Sequence, residues 1–172
     1  MTSPTPSQTV GPFFGFALPF ENDANAIEKV AYTTAGESRD AIRVEGQVLD
    51  GAGEPVPDAL VEAFQGVQFA RCRTDGEGAF HFTLHKPVVS DGAPCFEITV
   101  FARGLLRHLH TRMYFSDEES ANRADRVLQL VDESRRHTLI ARLDGDIVHF
   151  DIRLQGEGET VFFASGNARK RR

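Results

Sequence analysis

The chain has 172 residues, enough for one domain with a buried core and an arm at either end. A hydrophobic content of 41% with 26% charged residues is ordinary for a folded globular protein and excludes wholesale disorder. The formal charge of −6 excludes nucleic acid or an anionic membrane surface as the main partner, because the long-range field has the wrong sign.

The first 20 residues carry no Lys or Arg, and their apolar stretch "PFFGFALPF" is broken by proline, unlike a signal peptide. Cys72 and Cys95 lie 23 residues apart and form neither a CxxC nor a zinc-type cluster. No apolar run reaches the ~18 residues of a membrane span. These features predict a cytoplasmic protein with reduced thiols.

Residues 1–40 contain Pro4, Pro6, Pro12 and Pro19 and follow neither the strand nor the helix period, which predicts an extended N-terminal arm. The arm begins polar, then presents Phe13, Phe14, Phe16, Leu18 and Phe20, which a solvated tail does not tolerate. Two placements satisfy that pattern: the aromatic part folds back onto its own domain, or it lies on another chain.

Residues 41–164 read as the folded domain. "IRVEGQVL" puts Ile42, Val44 and Val48 on one face, and "DGAG" at 50–53 supplies a turn. "ALVEAF" and a run from Phe69 to Thr74 follow, with a second turn, "DGEG", at 75–78. "AFHFTLH" alternates strictly, Phe80, Phe82 and Leu84 opposing His81, Thr83 and His85, and "CFEITVFA" repeats the pattern. "ARGLLRHLHTRMYF" at 102–115 reads as a further strand, with Leu109, Met113 and Phe115 opposite His108, His110, Arg112 and Tyr114; Ser116 and Glu119 then form a capping box, predicting one crossover helix with Val127, Leu128 and Val131 on its apolar side. "HTLIARL" and "VHFDIRL" then flank the turn "DGD" at 144–146. Seven or eight short strands joined by Gly/Asp turns, with a single helix, predict an all-β, antiparallel β-sandwich. Residues 165–172 end in Arg169, Lys170, Arg171 and Arg172 and read as a solvated basic tail.

The chemistry-bearing feature is "RHLHTRMYF". His108 and His110 share a strand face with Cα atoms about 6.6 Å apart, so both imidazoles could reach one ion. His81 and His85 also share a face, but at about 13 Å they cannot. A polar strand face hydrogen-bonded to its neighbours is the competing reading of the 108/110 pair. Further ligands are scarce. Tyr114 and Phe115 stand where a cupin would place an acidic residue, and Arg112 puts a cation where a ferrous facial triad needs a carboxylate. A ferric site wants anionic oxygens such as tyrosinates, and the chain has two tyrosines, Tyr32 and Tyr114.

The segments "TPSQTVGPFF" (5–14), "GQVLDGAGEPVPDALVEAFQ" (46–65), "TDGEGAFHFTLHKP" (74–87), "FARGLLRHLHTRMYFSDE" (101–118) and "FDIRLQGEGETVFF" (150–163) occur in the order seen in the intradiol ring-cleavage dioxygenases. In its arm and its closing "QGEGETVFF" the chain resembles the α-type subunits of the two-chain members. The resemblance implies an intradiol β-sandwich paired with a homologous β subunit in a larger hetero-oligomer. In that complex the β subunit holds a non-haem Fe(III) through two tyrosines and an HxH pair, and both atoms of O2 enter protocatechuate to give 3-carboxy-cis,cis-muconate. By the same resemblance, His108 and His110 are a vestigial copy of that pair. Val88 and Val89 follow "HKP" where one ligand tyrosine would stand, and the loop for the other is shortened to "GVQFARCR". The resemblance therefore implies a chain with no metal and no catalytic residue of its own.

The resemblance also places Thr9, Gly11 and Pro12 of the arm, together with Arg103, at the substrate pocket of the β subunit. A guanidinium matches a substrate carboxylate in geometry, while a rim salt bridge is the plain alternative for Arg103, and simple packing for the arm. The shortened 64–73 stretch departs from the α pattern and lacks a Trp after "VEAF". A transthyretin-like binding module without enzymatic role is the alternative function, matching the strands only to about residue 85. A free-standing metalloenzyme using His108 and His110 is a third reading.

Overall fold

The computed structural model describes residues 6, 8–11, 14–26 and 41–164. Pro12, Tyr32 and the basic tail at 169–172, each singled out above, lie outside the described residues. Nine strands form among the described residues: β1 (Ala41–Leu49), β2 (Leu60–Gln65), β3 (Gln68–Arg73), β4 (Ala79–His85), β5 (Cys95–Phe101), β6 (Leu109–Phe115), β7 (Ile140–Asp144), β8 (Ile147–His149) and β9 (Ile152–Arg153). They follow the spatial order β3-β2-β5-β6-β7-β8-β1-β4, with β9 beside β1.

The two halves of this curled sheet share one apolar core. Phe82 and Leu84 of β4 and Val44 of β1 meet Phe96 and Ile98 of β5 and Met113 of β6. These are the inward positions of the alternating runs, so period-two hydrophobicity sets which face each strand buries. Gly46 allows the closest approach within β1. A Cβ there would lie 1.9 Å from the Phe150 carbonyl oxygen, and Phe150 N–H donates to Glu45 O at 2.9 Å.

The sandwich is mainly antiparallel, as the alternation predicts, but β6–β7, β1–β8 and β1–β9 pair in parallel. A parallel β6–β7 pair needs a long crossover, which residues 116–139 supply. This crossover is three short helical turns and not the single helix predicted: α2 (Glu119–Ala124), α3 (Arg126–Gln129) and a 3-10 helix (Glu133–Leu139). Ser116 does not cap it, because its hydroxyl accepts from the Leu143 N–H of β7 at 3.1 Å and α2 starts after Glu118. Asp125 breaks the helix: its backbone is extended and its carboxylate caps α3 by accepting from Val127 and Leu128 N–H. The 3-10 helix also claims His137–Leu139 from the strand predicted for "HTLIARL".

The described part of the arm lies on its own domain. A short helix, α1 (Phe14–Ala17), leads into Asp23–Ala26. That stretch runs between the two outermost strands in the sheet order: Asp23 O accepts from Arg71 N–H of β3, while Ala24 and Ala26 exchange backbone hydrogen bonds with Thr83 of β4. Ala26 is buried. The arm thereby pairs sheet edges that would otherwise be open. Phe20 remains 72% exposed. No helix among the described residues is long and apolar enough to cross a membrane.

Candidate functional site

Residues 109, 113 and 115 of β6 turn toward the core, leaving the alternate positions on the outer face of the β5–β6 ladder. His108 and His110 meet there with ring centroids 4.6 Å apart and nearly perpendicular. His110 Nδ1 lies 3.2 Å from the hydroxyl of Thr99, its cross-strand partner. His108 packs against the Phe101 ring at 5.4 Å. The backbone carbonyl of His110 accepts from Phe163 N–H at 2.8 Å, which seats the C-terminal "TVFF" segment beside the pair. Partial burial and then the neighbouring His108 push the His110 imidazole toward its neutral form.

Two imidazoles are only part of a ligand set, and among the described residues no anionic oxygen joins them in a metal-binding group. Tyr114 is on the same face but fully buried beneath α3, within a second apolar cluster that includes Leu128 and Leu139. Its hydroxyl donates to Asp125 Oδ1 at 3.1 Å, and burial raises the phenol well above its ordinary value. Arg112 turns to Glu97 at 2.6 Å, which takes up the acidic group nearest the pair on β5. Among the described residues no group of three or more His, Cys, Asp or Glu gathers as a metal site. These donors do not fit a ferric ion, which is better served by hard anionic oxygen ligands.

Arg103 stands at the tip of the turn that follows β5. Leu105 N–H donates to Ala102 O at 3.3 Å, and Gly104 takes the left-handed conformation, φ +88°, that this turn requires. Thr9 of the arm reaches the same turn and accepts from Gly104 N–H at 3.0 Å. Gln8 and Val10 beside it line a cavity of about 300 Å³ whose far wall includes Leu105, Arg107 and His108. Thr9, the Arg103 turn and the histidine pair thus converge on one end of the sandwich, with Gly11 exposed next to Val10. Arg103 makes an ion pair with Asp58, a residue that sequence reading did not single out. The register explains the meeting: Leu60 pairs with Phe101, so two residues further along each antiparallel strand Asp58 faces Arg103. Forty-five residues of separation leave no local signal for it.

The fold is that of the intradiol ring-cleavage dioxygenases. The dioxygenase domain of a dioxygenase and carbohydrate-binding fusion from Streptomyces sp. SirexAA-E superimposes with a TM-score of 0.59 at 21% identity, covering 90% of this chain and 99% of that one. No family model matches the chain. In sequence it is 39% identical, over 192 aligned positions, to the protocatechuate 3,4-dioxygenase alpha chain of Pseudomonas putida, covering 92% of this chain and 95% of that one. To the corresponding alpha chain of Burkholderia cepacia it is 35% identical over 189 positions, covering 92% and 96%. The chain belongs to the protocatechuate 3,4-dioxygenase alpha-chain family.

Proposed function

We propose that this chain is the non-iron-binding half of an αβ enzyme that cleaves protocatechuate with O2 to 3-carboxy-cis,cis-muconate. The observation that carries this reading is a match to alpha chains over 92% of this sequence, combined with a histidine pair that gathers no oxygen ligand among the described residues. Iron, expected as Fe(III) in a homologous β subunit, would activate the bound catechol there. This chain contributes surface and charge. Arg103 supplies a guanidinium suited to the substrate carboxylate, and Thr9 and Gly11 shape the wall beside it. We place the complex in the cytoplasm, where Cys72 and Cys95 would stay thiols. A transthyretin-like binding module is not favoured, since the alignment with alpha chains spans 92% of this sequence.

Co-expression with a tyrosine-containing homologous chain, followed by iron analysis and oxygen uptake with protocatechuate, tests the reading. Iron and activity should appear in the co-purified complex and be absent from this chain purified alone. A solitary chain that binds iron and consumes oxygen with protocatechuate would overturn it.

A further inference from the structure

We propose that Asp58 is a positioning residue for substrate recognition, acting through Arg103; the inference rests on the reading of Arg103 as a carboxylate-docking group. The two side chains differ in a telling way. Arg103 is 61% exposed, whereas Asp58 is 19% exposed. A long, exposed arginine samples many rotamers unless something rigid holds its head. Asp58 is built to be rigid. It follows Pro57 in a turn whose ends are both tied to the buried Thr74: the hydroxyl donates to Val56 O at 2.7 Å and accepts from Ala59 N–H at 2.9 Å. Thr74 N–H also donates to Ala59 O at 2.9 Å, closing the clamp.

The ion pair engages Arg103 at Nε. That contact uses the edge of the fork nearest the stem, so bidentate recognition of a carboxylate can use the two terminal nitrogens. The Arg103 turn is also held by Thr9, whose hydroxyl accepts from Gly104 N–H. The guanidinium is thus aimed by three separate parts of the chain: the Thr74-clamped turn before β2, the turn after β5 and the arm. Because exposed ion pairs contribute little to folding, the pair is better explained by orientation than by stability.

The test uses the assembled, iron-loaded αβ complex, with oxygen uptake for protocatechuate and competitive inhibition by catechol, which lacks the carboxylate. Asp58→Ala should raise KM for protocatechuate about five- to tenfold with kcat within about twofold, the scale of one charge-assisted hydrogen bond. The inhibition constant of catechol should stay unchanged. Asp58→Asn keeps an acceptor for Nε and should fall between wild type and Asp58→Ala. It carries the test if the alanine variant does not assemble, and an unchanged KM for it then overturns the proposal. The double variant with Arg103→Ala should be no worse than Arg103→Ala alone. If Arg103→Ala raises KM and Asp58→Ala does not, or if Asp58→Ala lowers KM or weakens catechol equally, the proposal is overturned while the Arg103 reading stands. A silent Arg103→Ala overturns both.

Discussion

The buried Tyr114 hydroxyl donates to Asp125, and the same carboxylate caps α3 and accepts from Ala93 N–H, so one side chain ties β6 to the crossover and to the segment before β5. Burial favours the neutral acid, but the hydrogen bonds from Leu128, Ala93, Tyr114 and Val127 outweigh it and hold Asp125 below the ordinary carboxyl value. A group with a depressed folded pKa contributes stability that is present above its unfolded value and lost as pH falls through the folded one. Asp125→Ala should cost about 2–4 kcal/mol, a lost cap plus an orphaned phenol. The contribution should fade only as pH drops below the ordinary value of 3.8. Urea unfolding of wild type and variant between neutral and acid pH measures both, and a neutral substitution would remove Asp125 from this role.

Arg103→Ala in the assembled complex should raise KM for protocatechuate about tenfold or more with little effect on assembly, because besides the substrate contact it removes only the ion pair of a largely exposed side chain with Asp58. Steady-state oxygen uptake decides it. An unchanged kcat/KM would leave Arg103 as a rim ion pair.

Burial pushes the Cys95 thiol up to about 11 and raises Cys72 in the same direction. Thiolate is the reactive species, so both cysteines should resist alkylation near pH 8 in the folded protein and react promptly in denaturant. Rapid labelling of the native chain would contradict the burial that raises both groups.

Gly46→Ala should be severely destabilising, by about 3 kcal/mol or more, because the new methyl group meets backbone and not a movable side chain. The obstacle is Phe150 O at 1.9 Å. Thermal unfolding or failure to express in soluble form would register it, and a wild-type melting temperature would refute the close approach.

The arm divides into two parts with different roles. Removing residues 1–14 takes away Thr9 but spares the Asp23–Ala26 edge clamp, so it should lower activity of the complex with a Tm shift under about 3 °C. Removing residues 1–26 opens β3 and β4 and should lower Tm by about 5–10 °C. Calorimetry of the two truncations, with oxygen uptake of the shorter one, separates the roles. Equal stability of both would show that the edges need no cover.

Much of the architecture was legible along the chain. Strict alternation marked Ala79–His85 to the residue and the next strand to within one, since the reading of "CFEITVFA" ran on to Ala102; alternation around residues 108–115 likewise put His108 and His110 outside the core. The crossover was not legible in the same way. Ser116 and Glu119 have the spacing of a capping box, but Ser116 is drawn to Leu143 on a strand more than twenty residues away. Likewise, no periodicity in "VHFDIRL" reveals that Val148 and Ile152 both line up in parallel beside β1.

Local hydrophobic spacing and turn chemistry by themselves determined that this chain forms β-strands with one buried face and carries a histidine pair short of oxygen ligands, since both are properties of neighbouring residues. The tertiary structure alone decided where the arm lies, how the helix breaks, why Tyr114 cannot serve the histidines, and that Asp58 faces Arg103. Those outcomes depend on strand register and on hydrogen bonds between residues far apart in sequence, which become defined only when the two halves of the sheet close on their common core.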